Sequence, residues 1–96
     1  MKQYFVYILS DGRNGTLYTG MTSNLARRLD QHRAEVASGH TSKYHIHELV
    51  YYKAFDSVEI AIRREKNIKA WKRAWKLRLI ETVNPQWEDL GDSLLV

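Results

Sequence analysis

Two tyrosines, an arginine, a histidine and a glutamate stand out in this 96-residue chain because of where their spacing puts them. From Leu25 to about Ala37 apolar residues recur at helical spacing, and Leu25, Leu29 and Val36 mark the inward face. At about 100° per residue, Arg28 and His32 fall on that same face, one turn apart. Arg27, Asp30 and Gln31 point elsewhere. A second helical stretch carries Val58, Ala61, Ile62, Ile68 and Leu79 as its apolar stripe, with Glu65 in the middle. Glu65 is the single acid among residues 60–80, amid Arg63, Arg64, Lys66, Lys69, Lys72, Arg73, Lys76 and Arg78. A buried carboxylate is costly unless it is paired or binds a cation. Glu65 is therefore either half of a structural ion pair, with Arg28 as a candidate partner, or a cation ligand.

The tyrosines are Tyr7 and Tyr18, one in each of two strand-like stretches around a turn, VYILSDGRNGTLYTG. A strand tyrosine ordinarily packs its ring and leaves its hydroxyl at the surface. Gly20 shares the face of Tyr18 by the two-residue period of a strand. A missing side chain beside a tyrosine leaves room for a ligand or another backbone.

These residues need elements to hold them. Residues 3–9 are β-branched and aromatic enough for a strand. Asp11-Gly12-Arg13-Asn14-Gly15 supplies a turn, and Thr16 to Met21 returns as the second strand of an antiparallel hairpin. Thr22-Ser23-Asn24 offers helix caps, Gly39 ends the first helix, and residues 40–46 read as a loop. His47 to Phe55 holds a third strand. Asp56-Ser57-Val58-Glu59 opens the next helix, which runs to about Val83 with a break expected between Trp71 and Trp75. Trp71 and Trp75, four residues apart, read as core. Asn84-Pro85 stops the helix. The order β-β-α-β-α(-α) predicts an α+β fold, a three-stranded antiparallel-type sheet with flanking helices. The domain is expected over residues 1–84 and an acidic C-terminal tail over 85–96, with Trp87 and Leu90 as the residues able to pack back.

Composition narrows the function classes. The net charge is +4, unevenly spread. Residues 1–78 hold all 15 bases and 7 acids, a balance of +8, and residues 79–96 hold Glu81, Glu88, Asp89 and Asp92 with no base. A basic body suits a polyanion such as nucleic acid, or is simply a solvated surface. No apolar run reaches the ~18 residues of a membrane span, and no signal-peptide pattern opens the chain. There are no cysteines, which excludes disulfides and thiolate zinc sites. A cytoplasmic protein with no membrane partner is expected. His40, His45 and His47 include a His-x-His, but no acid shares the face of His45 and His47, so a metal site there is not expected.

Phe5-Val6-Tyr7 and Tyr18-Thr19-Gly20 resemble the two signature tripeptides of the GIY-YIG endonuclease superfamily, at its spacing. Thr22 to His32 resembles the family's first helix, where an Asn-Leu pair precedes a catalytic arginine, here Arg28. His32 stands where members carry a histidine or tyrosine. Arg64-Glu65-Lys66-Asn67-Ile68-Lys69 resembles the segment with the metal-binding glutamate, here Glu65. The resemblance spans roughly residues 3–84 and is nearest to the small bacterial proteins made of this domain alone. Phe5 and Thr19 depart from the tripeptides, Met21 replaces a polar residue, and Leu77 stands where some members have an asparagine. Asn84 is a candidate auxiliary substitute for it.

The resemblance implies the GIY-YIG fold and metal-dependent phosphodiester hydrolysis, on DNA with structure preference or weak specificity, in DNA repair, recombination or processing. Its catalytic residues would be Tyr7, Tyr18, Arg28, His32 and Glu65, with one Mg²⁺ or Mn²⁺ on Glu65. One tyrosine, as a phenolate, would act as base. Lys66, Lys69, Lys72, Arg73 and Lys76, with Lys43 from the loop, are expected to bind nucleic acid, and Tyr44 in that loop is a further candidate contact. No second domain is expected, and a protein partner is a candidate source of specificity. Two other readings stand beside this one. The first is a DNA/RNA-binding module with little intrinsic cleavage that acts with a partner. The second is a protein–protein adaptor, for which the tail Asp92-Ser93-Leu94-Leu95-Val96 is the one feature.

Overall fold

The computed structural model describes residues 2–38 and 48–94, with the backbone alone at 35–38. His40, Lys43, Tyr44, His45 and His47 lie outside the described residues. Strands β1 (Tyr4–Ser10) and β2 (Leu17–Thr22) precede helix α1 (Leu25–Ser38). Strand β3 (Glu48–Phe55), helices α2 (Val58–Ala70) and α3 (Arg73–Val83) and a 3₁₀ turn, Leu90–Ser93, follow. The sheet order is β2-β1-β3 and both pairings are antiparallel, the α+β arrangement the sequence predicts.

β1 is the central strand, and this explains its composition. Val6 and Ile8 pack on one face with Val50, Tyr51, Ala61 and Ile68, beneath α2 and α3. Tyr7 and Leu9 pack on the other with Leu25, Leu29 and Leu49, beneath α1. A strand covered on both sides reads as a continuous apolar run rather than an alternation.

The helices begin on side chains. Asn24 caps α1, its Oδ1 accepting from the Arg27 N–H at 3.1 Å. Ser57 caps α2, its Oγ accepting from the Ile60 N–H at 3.3 Å. The expected break between α2 and α3 falls at Trp71 and Lys72, both extended, with ψ of 153° and 148°. Neither residue type is a helix breaker, so packing makes the break. Trp71 turns its ring under the Arg64 guanidinium, 4.8 Å from the ring centre, and edge to face with Trp75 at 6.1 Å.

β3 carries a bulge opposite Ile8 and Leu9, whose partners are Tyr51 and Leu49. A bulge leaves one residue out of the ladder, here Val50. The segment after α3 repairs it. Asn84 Nδ2 donates to the Val50 carbonyl at 3.0 Å, and the Leu49 N–H donates to Asp89 Oδ1 at 3.1 Å. Asp89 Oδ2 accepts from Arg33 of α1 at 2.7 Å. Trp87 enters the core under α2 and α3, with a left-handed φ of 55° and its indole N–H donating to Glu81. Leu90 and Leu94 pack under α1. Residues 84–94 are thus woven into both sides of the molecule.

Candidate active site

The register of the hairpin builds the first part of the site. Tyr7 pairs with Gly20, and Leu9 with Tyr18. Directly opposed residues share a sheet face, so Tyr7, Tyr18 and Gly20 all point toward α1. Gly20 is required there. A Cβ at this position would lie 2.5 Å from the Tyr7 hydroxyl and 3.1 Å from the Tyr18 ring.

α1 supplies the second part. Its Leu25 and Leu29 anchor it on the sheet, which fixes what the next residues face. The His32 ring lies 5.3 Å from that of Tyr18 and 6.3 Å from that of Tyr7, edge-on to both. The two tyrosine rings are 6.3 Å apart. Tyr7 is 1% exposed and Tyr18 39%, so the group is closed beneath and open above. Arg28, one turn before His32, lies against both hydroxyls. Burial acts to lower its pKa, but hydrogen bonding and attraction to the Tyr7 and Tyr18 hydroxyls outweigh this and raise it above the usual guanidinium value. Burial pushes the Tyr7 hydroxyl above 10.0, against the opposing pull of Arg28, and the neighbouring Tyr18 and Glu65 add to the rise.

Glu65 comes from α2, which packs on β2 and β1. Its side chain is 20% exposed, and Oε2 meets Lys69 Nζ at 3.1 Å. The candidate partner Arg28 is turned instead to the tyrosines, because it lies on the other helix layer where two hydroxyls compete for it. Lys69 is half exposed, and an exposed i,i+4 pair is worth only ~0.3–0.5 kcal/mol. That is too little to account for the carboxylate's place in the apolar stripe.

The other expected residues divide. Lys66 and Lys72 are exposed. Arg73 is committed to the hairpin, donating to the Asn14 and Gly15 carbonyls at 2.7 and 2.6 Å, and Lys76 is half-buried on α3. Asn84 is a correction. Its amide donates to Val50 and Glu88 and accepts from the Glu88 N–H at 3.0 Å. The open backbone of the bulge consumes it, so it has no atom left for a substrate. Trp75 is a second correction, being 49% exposed rather than core. The register also reveals a residue the sequence reading passed over. Tyr52 pairs with Tyr7, shares its face and is exposed. Only the β1–β3 register could have pointed to it.

Tyrosines on a hairpin, an arginine and histidine one turn apart on the next helix, and a glutamate on the second follow the order of a known catalytic domain. The profile of the GIY-YIG catalytic domain matches residues 3–78. The chain belongs to the GIY-YIG family. This GIY-YIG chain is 42% identical over 77 residues to a UPF0213 protein of Natronomonas pharaonis, covering 80% of this chain and 89% of that one. It is 37% identical over 81 residues to a UPF0213 protein of Staphylococcus haemolyticus, covering 84% and 98%. The solution NMR structure of a UPF0213 protein from Bacillus halodurans superposes with a TM-score of 0.56 at 33% identity, covering 91% of this chain and 92% of that one. The family is one of nucleases, generally dependent on divalent metals and acting on nucleic acid. Among the described residues no helix is long and apolar enough to cross a membrane.

The donors fit a divalent cation only loosely. No group of three or more His, Asp or Glu residues comes together among the described residues. Glu65 offers hard carboxylate oxygens, of the kind Mg²⁺ and Mn²⁺ take together with water and substrate phosphate.

Proposed function

We propose that this GIY-YIG domain is a metal-dependent endonuclease that hydrolyses phosphodiester bonds in DNA, with its catalytic group formed by Tyr7, Tyr18, Arg28, His32 and Glu65. The observation that carries the proposal is the convergence of the Tyr7, Tyr18 and His32 rings, with Gly20 beneath the two tyrosines and Arg28 against them. A divalent cation on Glu65, Mg²⁺ or Mn²⁺, would supply stabilisation of the charge that builds on the phosphate oxygens. Arg28 presents a planar fork that suits a phosphate. A tyrosine of the pair takes the proton of the attacking water. His32, edge-on to both rings, orients them and passes the proton onward.

The protonation of Tyr7 sets a condition. Burial holds it as a neutral phenol at neutral pH, so it becomes a base only when positive charge is added beside it. The substrate complex, rather than the free protein, is the state in which the base is made. Lys66, Lys69 and Lys72 support phosphate tracking beside the site. Such contacts position a duplex without reading its sequence, which favours weak specificity and leaves selection of targets to DNA structure or to a partner protein.

The test is cleavage of labelled linear, nicked, flapped and four-way-junction DNA with Mg²⁺ or Mn²⁺, by wild type and by Glu65→Ala. Cleavage by wild type, lost in a folded variant that still binds DNA, is expected. Binding without cleavage by both would overturn the enzyme reading in favour of a binding module. Unfolding of Glu65→Ala would reassign Glu65 to structure.

A further inference from the structure

The proposed catalytic group is split between two layers. Tyr7, Tyr18, Arg28 and His32 meet on the α1 side of the sheet. Glu65 comes from α2 on the other side, near enough for its charge to raise the Tyr7 pKa. β2, which carries Tyr18, is an edge strand held by β1 on one side. Tyr18 stands near the end of that ladder, in the pair Leu9–Tyr18, with Ser10–Leu17 the last pair before the turn.

The turn keeps its own shape. The Thr16 N–H donates to Asp11 Oδ1 at 2.8 Å, the Gly15 N–H to the Gly12 carbonyl at 3.0 Å and the Gly12 N–H to Ser10 Oγ at 3.1 Å. These bonds stay within residues 10–16, so they shape the loop without fixing its direction relative to the helices. Arg73 fixes that direction. It opens α3 directly after the break at Trp71 and Lys72. Its Nη2 donates to the Asn14 carbonyl at 2.7 Å and to the Gly15 carbonyl at 2.6 Å, across 59 and 58 residues of sequence. Asn14 meets it with a left-handed φ of 58°, which asparagine tolerates. Gly15 lies three residues before Tyr18, at most ~10 Å of extended chain. The rival role for Arg73, contact with a substrate phosphate, would need the nitrogen whose two hydrogens these carbonyls already hold.

We propose that Arg73 is a positioning residue for the nuclease site: by clamping the Asn14 and Gly15 carbonyls to the start of α3, it sets where Tyr18 stands relative to Arg28, His32 and Glu65. The clamp joins the layer that carries Glu65 to the strand that carries Tyr18, so the two parts of the catalytic group keep one spacing. This rests on the nuclease reading for its effect on cleavage, whereas the placement of Tyr18 is a property of the free protein.

The experiment compares wild type with Arg73→Met, which keeps the stem and loses the donors, and with Arg73→Lys, whose one ammonium can donate to both carbonyls. Thermal melting checks that each is folded. Three quantities are read: kcat and KM for cleavage of a labelled flapped DNA with Mg²⁺ or Mn²⁺, the salt dependence of binding to the same DNA in metal-free buffer, and the Tyr18 ring resonances in ¹³C-tyrosine-labelled protein, assigned with Tyr18→Phe. Arg73→Met is expected to lower kcat ~10–100-fold, since a small misplacement of a reacting group costs on that order. KM, affinity and salt slope should stay near wild type, and the Tyr18 resonances should move. Arg73→Lys should stand between the two on both counts. Melting should change little, because the two bonds are exposed and the net contribution of such bonds is modest. Unmoved Tyr18 resonances in Arg73→Met would overturn the proposal whatever the rate. A loss confined to KM and affinity, with the salt slope reduced by ~1, would overturn it by making Arg73 a phosphate contact. A lower melting temperature with undiminished kcat would overturn it by making Arg73 structural alone. Absence of cleavage by wild type would remove the nuclease reading, and the Tyr18 resonances would then decide the clamp by themselves: moved by methionine and restored by lysine it stands, unmoved it falls.

Discussion

Two clusters of polar side chains lie partly inside this molecule, and they are built on opposite terms. At the β3 bulge, Asn84 and Asp89 spend their side-chain atoms on backbone groups and on Arg33. At the hairpin, Tyr7, Tyr18, His32 and Arg28 face one another, with one side open to solvent through Tyr18. The first cluster is closed, since it completes hydrogen bonds that folding would otherwise leave unmade. The second is packed over Gly20, where a Cβ would collide with the Tyr7 hydroxyl. The difference teaches how to assign a buried polar residue. If its partners are backbone groups orphaned by local geometry, it is structural. If its partners are other titratable side chains and the group opens to solvent, as it does through Tyr18, it is a candidate for a site.

The sharpest way to break this contrast is to remove a member of each cluster. Arg28→Ala is expected to lower cleavage by ~10²–10³-fold, the usual effect of losing a charge-stabilising group, with a melting temperature close to wild type. Asn84→Ala should do the reverse. It leaves the buried Val50 carbonyl and the part-buried backbone groups of Glu88 without their partner and should cost about 1–3 kcal/mol in denaturant unfolding, while the folded fraction keeps its specific activity. Equal effects of both substitutions on stability would erase the distinction. Gly20→Ala lies between the two, because it crowds the Tyr7 hydroxyl directly. A cost of ~1–3 kcal/mol from overpacking, together with loss of cleavage, is expected from melting and activity assays.

The smallest effect is one of pH. Tyr7 is shifted up from 10.0 by burial, so the unfolded chain ionises first. Its stabilising contribution is complete below pH 10 and is lost as pH rises through the folded-state value. Urea unfolding of wild type should therefore weaken more steeply above pH 10 than that of Tyr7→Phe. Parallel slopes would mean that the Tyr7 hydroxyl is not held as the geometry indicates.

Much of the fold was legible because local chemistry and periodicity agreed. The Asp11–Gly15 turn, the Asn24 and Ser57 caps, and Leu25, Leu29, Ala61 and Ile68 of the apolar faces sit where the sequence puts them, whereas Ile62, expected in the α2 stripe, is exposed. The inward turn of Arg28 and His32 followed from 100° per residue alone. What escaped was non-local. The β1–β3 register that places Tyr52 beside Tyr7, and the bulge that claims Asn84, depend on pairings between distant segments. Trp75 was assigned to the core by its spacing from Trp71, but the backbone turns between them. A period computed through a helix break carries no directional meaning beyond it.

The Asp89 carboxylate has one further consequence, for the order in which the molecule is made. It joins Arg33 across 56 residues and the Leu49 N–H across 40. Long loops close late, after local helices and hairpins have formed. On a ribosome, the hairpin and α1 emerge and can meet well before residue 89 exists to pin the helix. The nascent chain therefore carries its tyrosines, Arg28 and His32 through synthesis on a loosely held scaffold. The Asp89 contacts to Arg33 and Leu49 close only with the last folded segment, so the final placement of α1 over the tyrosines and completion of the fold arrive together.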